Sequence, residues 1–151
     1  SDLDHAALSL ASENSQIHAI DGIVRGDLLS WCQALCVDII IANPPYVDAR
    51  DMQGLPAEYH HEPGLALSGG DDGLDLVRVL LLDAARILRP TGLLILEVGN
   101  SFEALEELSE QLHPIWVELE QGGHGVAVFM AQDLAQWAAS EDIANPVVSG
   151  K

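Results

Sequence analysis

The side chains best suited to chemistry lie in the segment Asn43-Pro44-Pro45-Tyr46. This segment follows Val37–Ala42, whose three consecutive isoleucines predict a strand buried on both faces of a parallel sheet. Because two prolines follow Asn43, the backbone can neither continue as a strand nor turn at once into a helix. The sequence therefore predicts a stiff loop that holds an amide and an aromatic ring where open α/β sheets bind ligands.

Such a loop could orient an amino group for reaction. The side-chain oxygen of Asn43 and the carbonyl oxygen of Pro44 can both accept hydrogen bonds from a target NH2 group, and Tyr46 offers a flat wall beside it. The segment resembles the signature of methyltransferases that modify planar, conjugated amino nitrogens. The alternative is a proline-rich turn after an edge strand, because short motifs recur by chance.

The composition predicts a folded, acidic domain. The chain has 151 residues, 48% of them hydrophobic, which is enough for one domain with a real core. Its formal net charge of −18 argues against a broad basic surface, so direct nucleic-acid binding is not expected. The acidity suits a basic protein partner or reflects a general acidic bias. No apolar run is long enough to span a bilayer, so no membrane partner is expected.

No metal site is predicted. Cys32 and Cys36 lie four residues apart in a predicted short helix, and two ligands do not make a zinc site. They are interpreted as core or half-buried thiols, which suits a reducing, cytoplasmic location. The irregular segment 47–70 has the length of a functional loop and contains Tyr59-His60-His61-Glu62. This run could be a metal or acid–base cluster, but we favour surface histidines of a substrate-side lid.

Helical and strand patterns alternate along the chain. Apolar spacing and capping residues predict helices over about 4–14, 28–35, 71–89 and 102–112. Strands are predicted over 17–24, 37–42, 93–98, 115–120 and 126–130, and the last two form a hairpin. This order is typical of the back end of a doubly wound α/β sheet that closes with an antiparallel hairpin.

Further motifs make the chain similar to the HemK-type protein-glutamine methyltransferases. Besides residues 43–46, the match comprises Glu62-Pro63 with Ala66-Leu67, Gly69-Gly70 with Asp72-Gly73-Leu74, and Glu97-Val98-Gly99. Within that family, other segments resemble the branch that methylates a glutamine of large-subunit ribosomal protein three. These segments are Val47-Asp48-Ala49, Asp51-Met52, Leu55-Pro56, Glu58-Tyr59, His61-Glu62-Pro63, Asp75 with Arg78, Asn100-Ser101, Gly122-Gly123 and Gly125-Val126.

The resemblance implies a class I methyltransferase fold, Rossmann-like and doubly wound, with a C-terminal antiparallel hairpin. It covers residues 1–134 as a partial domain and leaves 135–151 as a tail. It implies a cytoplasmic enzyme that uses S-adenosyl-L-methionine to methylate a glutamine side-chain amide in a ribosomal protein. The alternative substrate is the glutamine of a peptide release factor. Adenine methylation of DNA or RNA is disfavoured by the acidic charge and by the long loop.

The resemblance also assigns roles to single residues. Asp2 matches the carboxylate that binds the ribose hydroxyls of the cofactor, and Asp27 matches the one that contacts the adenine amino group. From the residues alone, Asp2 could equally cap a helix, a role for which Asp4 competes, and Asp27 could belong to a turn.

The catalytic assignments fall on the proline-containing segment. Asn43 and Tyr46 match the residues that bind the substrate amide, Pro44 contributes its carbonyl, and Pro45 belongs to the same substrate-binding loop. Asn43 is also placed next to the cofactor. The carboxylate of Glu97 is expected to support the loop from the end of the sheet.

The sequence departs from the family at its start. The family's first strand and glycine-rich cofactor loop precede the position of Asp2 and have no counterpart here. We therefore expect residues 17–24 and 37–42 to pair directly, or another chain to fill the gap as a homo-oligomer through the open sheet edge. The same departure supports a different class of function, a truncated and inactive methyltransferase-fold module that acts through protein interaction.

Overall fold

The computed structural model describes residues 1–18, 21–44, 74–108, 112–118 and 125–144. The chain divides into two compact units, Ser1–Gln33 and Ala34–Lys151, which are described separately. Pro45, Tyr46, the predicted loop 47–70 and the Tyr59–Glu62 run lie outside the described residues.

The first unit is built around helix α1, His5–His18. Asp4 caps it, because the backbone N–H of Ala7 donates a hydrogen bond to Asp4 Oδ1 at 2.8 Å. The predicted helix is confirmed and is longer than expected. The predicted strand 17–24 is wrong in the described residues, because Ile17 and His18 continue the helix and residues 21–24 form no strand.

The predicted helix over 28–35 is also wrong. Residues 28–31 form a turn, and Leu28 and Leu35 have φ angles of 45° and 52°. A right-handed helix cannot contain such residues, because its φ angles are negative throughout. Apolar spacing in a short stretch did not reveal these two reversals of the backbone.

The second unit contains a mixed sheet, which confirms the α/β prediction. In the described residues the strands lie in the order β1-β2-β4-β3. Strand β1 is parallel to β2, and β4 is antiparallel to both β2 and β3, so the predicted closing hairpin is present. The strands are β1 Val37–Ala42, β2 Leu88–Glu97, β3 Ile115–Trp116 and β4 Val126–Met130.

Strand β2 begins five residues earlier than predicted, at Leu88. The pairing jumps from Val37 beside Leu88 to Ile39 beside Leu93, so the stretch with Pro90 and Gly92 bulges out of register. A bulge of this kind admits the proline that the sequence pattern treated as the end of the preceding helix.

Three helices accompany the sheet: α2 Asp75–Ile87, α3 Phe102–Leu108 and α4 Ala131–Ala144. Alternate residues of β2 and β4 are buried together with the apolar faces of α2 and α4, which gives one core on one side of the sheet. Trp137 of α4 is buried, so this helix packs across the expected boundary between residues 134 and 135. The buried residues of the core between the sheet and these helices include Val77, Leu81, Ala84, Leu94, Leu96, Ala127, Phe129 and Leu134.

The other face of the sheet is more open than predicted. Ile39 and Ile41 of β1 are 55% and 77% exposed, whereas Ile40 between them is buried. The prediction that β1 is buried on both faces is therefore wrong in the described residues, because the core helices cover one face only. Among the described residues β1 is an edge strand paired with β2, so the predicted direct pairing with residues 17–24 is wrong for the described part of that segment. Filling of that edge by another chain stays a prediction.

Within the described residues, no helix combines the length and the apolar character needed to cross a membrane.

Two neighbouring leucines of α2 provide a matched test of this core. Leu81 is fully buried and Leu82 is 45% exposed. Leu81→Ala is expected to lower the free energy of unfolding by about 3 kcal/mol, because it removes core contacts and leaves a cavity. Leu82→Ala should lower the free energy of unfolding by less than about 1 kcal/mol. Chemical denaturation followed by circular dichroism measures both, and equal losses would contradict the packing described.

Candidate functional site

Asn43 and Pro44 follow β1 directly, at the carboxyl end of the strand. Asn43 is exposed, whereas Pro44 is buried. The sheet therefore offers the amide of Asn43 to the surroundings while the next residue anchors the backbone. This is the position that the sequence predicted for the amide.

At the opposite end of β1, an ion pair joins the strand to the start of β2. Arg89 Nη1 lies 2.6 Å from Asp38 Oδ2, which links the two strands through an exposed ion pair. Just before β1, the backbone N–H groups of Leu35 and Cys36 donate to the carbonyl oxygens of Arg86 and Ile87 at 3.2 and 3.0 Å. Exposed ion pairs contribute little to stability. The backbone hydrogen bonds therefore do more than the ion pair to fix the position of β1, and with it the position of Asn43 at the end of the strand.

The carboxyl end of β2 is held by a close approach of two glycines. The backbone N–H of Val98 donates to the carbonyl oxygen of Gly125 at 2.8 Å. Gly125 has φ +83°, and a Cβ at this position would overlap the backbone of Gly99. Only glycine fits such an approach. This contact explains why residue 125 is a glycine, while Gly99 itself has a φ of 48°, which also favours glycine. Sequence reasoning missed the contact because the two glycines are distant along the chain.

Asp2 lies beside Arg25 in an isolated parallel bridge within the first unit. Its N–H donates to the carbonyl oxygen of Val24 at 3.3 Å, and its own carbonyl accepts from the N–H of Gly26 at 3.1 Å. Asp2 Oδ1 accepts a hydrogen bond from the N–H of Asp4 at 2.8 Å. Asp4, not Asp2, is therefore the helix cap, and the exposed carboxylate of Asp2 retains acceptor capacity.

Asp27 follows at the same end of this bridge, two residues after Arg25. Its carbonyl oxygen accepts from both the N–H and the hydroxyl of Ser30, at 3.1 and 2.8 Å, which fixes the turn. Its side chain is exposed. The bridge and the turn thus place Asp2 and Asp27 near the same short stretch of the first unit, each with an exposed side chain whose carboxylate oxygens can accept hydrogen bonds.

The predicted absence of a metal site is not tested for the Tyr59–Glu62 run. In the part of the chain that the structure describes, no three His, Cys, Asp or Glu side chains are grouped so that they could hold a metal ion.

Three curated proteins named ribosomal protein uL3 glutamine methyltransferase are similar to this chain. The relative from Francisella tularensis subsp. tularensis is 39% identical over 139 residues, which cover 90% of the chain and 44% of the relative. The relative from Xanthomonas campestris pv. campestris is 39% identical over 140 residues, which cover 91% of the chain and 46% of the relative. The relative from Bradyrhizobium diazoefficiens is 42% identical over 136 residues, which cover 88% of the chain and 43% of the relative.

The chain therefore spans somewhat less than half the length of the curated relatives it matches. No protein-family model matches it. The similarity to the three relatives confirms the resemblance to protein-glutamine methyltransferases that the motifs predicted.

The turn that carries Asp27 can be tested through Trp31. A Cβ at Gly26 would overlap the indole ring of Trp31, whose Nε1–H donates to the carbonyl oxygen of Leu28 at 3.1 Å. Gly26→Ala is therefore expected to displace the ring and shift the indole N–H signal of Trp31 in a proton–nitrogen NMR spectrum. The signals of Trp116 and Trp137 are internal controls. An unmoved Trp31 signal would show that the turn is not packed in this way.

Proposed function

We propose that this protein is an S-adenosyl-L-methionine-dependent protein-glutamine N-methyltransferase, or the part of one, that acts on ribosomal protein uL3. The observation that supports this most directly is the placement of Asn43 and Pro44 at the carboxyl end of β1. The names of the three relatives agree with it, since each is a uL3 glutamine methyltransferase.

The chemistry required of the chain is positioning. An amide nitrogen is a poor nucleophile because its lone pair is delocalised into the carbonyl group. Two acceptors, Asn43 Oδ1 and the carbonyl oxygen of Pro44, can hold both N–H groups of the glutamine amide and stabilise the positive charge that develops on nitrogen. Pro44 has no N–H of its own to compete. Pro45 and Tyr46 are proposed to complete the wall against which the amide lies.

The cofactor is proposed to be held by Asp2 through its ribose hydroxyls and by Asp27 through its adenine amino group. S-adenosyl-L-methionine supplies a methyl group that its sulfonium centre already activates. These assignments go with a class I, Rossmann-like fold, in which the methyltransferase part, predicted from the sequence as residues 1–134, continues through α4 to Ala144.

The charge of the chain supports uL3 as the substrate. A net charge of −18 attracts a basic ribosomal protein and accelerates encounter with it. The alternative substrate, a release factor, finds no support in the names of the three relatives. The proposed place of action is the cytoplasm, where newly made uL3 is available.

Methyl transfer is the first test. The chain is incubated with labelled S-adenosyl-L-methionine and purified uL3, with the Francisella tularensis relative as the positive control. Asn43→Ala is expected to lower kcat/KM about 100-fold, because one of two preorganised acceptors is lost. Asn14→Ala, at an exposed position of α1, is the matched control and should leave the rate unchanged. Equal rates for wild type and Asn43→Ala would exclude the assigned role.

Cofactor binding tests the two carboxylates separately. Asp2→Asn and Asp27→Asn are expected each to raise the Kd for S-adenosyl-L-methionine about tenfold, because each weakens a charge-assisted hydrogen bond. Isothermal titration calorimetry measures this directly, with the exposed Asp21→Asn as the control from the same unit. An unchanged Kd in both variants would remove Asp2 and Asp27 from the proposed site.

A further inference from the structure

Glu97 lies beside Asn43 at the same edge of the sheet. The last paired residues of β1 and β2 are Ala42 and Leu96, and each is followed by one of these two side chains. Neighbouring strands are about 4.8 Å apart, so the two residues start within reach of one another. So far the carboxylate of Glu97 has been assigned only the support of the loop that follows β1.

The two side chains also share a face. On β2, Leu94 and Leu96 are fully buried, whereas Ile95 and Glu97 are half-buried, so Glu97 points away from the helices. The alternation on β1 leaves Ile41 exposed, and Asn43 is exposed two residues later. Since alternate residues of a strand share a face, Asn43 and Glu97 are both on the side opposite the core.

Glu97 projects from a fixed point. Strand β2 lies between β1 and β4, and Glu97 is paired with Val126. The next residue, Val98, is hydrogen-bonded to Gly125. On this face Glu97 is paired with Val126 of β4, and Asn43 follows the last paired residue of β1 at the same level of the sheet.

An asparagine whose side-chain oxygen must accept a hydrogen bond needs its amide group held in one of its two flipped orientations. Its carbonyl and amino ends have nearly the same shape but opposite hydrogen-bonding character. In the reversed orientation, the NH2 of Asn43 would face the NH2 of the substrate. Carboxylate oxygens accept hydrogen bonds, so Glu97 can bond the amino end of Asn43 and not its carbonyl end.

We propose that Glu97 is a positioning residue, which accepts a hydrogen bond from Asn43 Nδ2 and so keeps Asn43 Oδ1 directed at the substrate amide. The mechanistic part of this inference rests on the proposed function. The structure shows no hydrogen bond between the two side chains, so the bond is itself part of the inference, and it can be measured without turnover.

Exchange of the side-chain amide protons with water tests the contact. In the wild-type chain, the amide protons of Asn43 should exchange about tenfold more slowly than those of the exposed Asn14, because one of them is bonded. Asn43→Ser identifies the signal. Glu97→Gln, which keeps the shape and removes the charge, should make Asn43 exchange several-fold faster, and the exposed Glu103→Gln should not. Equal exchange of Asn43 and Asn14 in the wild type would overturn the proposal.

Kinetics then separates positioning from binding. Glu97→Gln is expected to lower kcat about tenfold and to leave the KM for S-adenosyl-L-methionine unchanged, with partial recovery in Glu97→Asp. An unchanged kcat, in a chain that does transfer methyl groups, would overturn the positioning role. If the wild type transfers none, the proposed function fails, and the exchange measurement still decides whether Glu97 holds Asn43.

Discussion

The parallel pairing of β1 with β2 is the constraint on which the second unit depends. It sets the register that brings Asn43 level with Glu97, and it requires a crossover, within which α2 covers one face. A slip of one residue would exchange the two faces of β1, burying Ile39 and Ile41 and turning Asn43 towards the helices. The position of the Asn43 side-chain amide and the packing of the core are therefore set by the same backbone hydrogen bonds.

The proposed site residues are preorganised locally in each unit. A parallel bridge holds the backbone at Asp2, and a serine-stabilised turn holds the backbone at Asp27. Asn43 is positioned by the sheet and anchored by the buried Pro44. In both cases the exposed functional group projects from a backbone that hydrogen bonds hold in place, which keeps the entropy cost of binding a ligand low.

The sequence predicted those features that long local patterns determine. Helix α2, the apolar part of β2 and strand β4 carry strong periodicity, and two prolines placed Asn43 at the end of its strand. The strand at 17–24 and the helix at 28–35 failed because the chain remains helical to His18 and reverses at Leu28 and Leu35. The level of Asn43 beside Glu97 and the close approach of Gly99 and Gly125 depend on strand register, which local patterns do not encode.

Identification of the methylated atom tests the central claim most directly. Tandem mass spectrometry of uL3, after incubation with the chain and S-adenosyl-L-methionine, locates the added group, and NMR of the labelled peptide identifies the nitrogen. The account predicts one methyl group on the side-chain amide nitrogen of a glutamine. A methyl group on a lysine, an arginine or a nucleic-acid base, or an unmodified uL3 where the Francisella tularensis relative modifies it, would contradict the account.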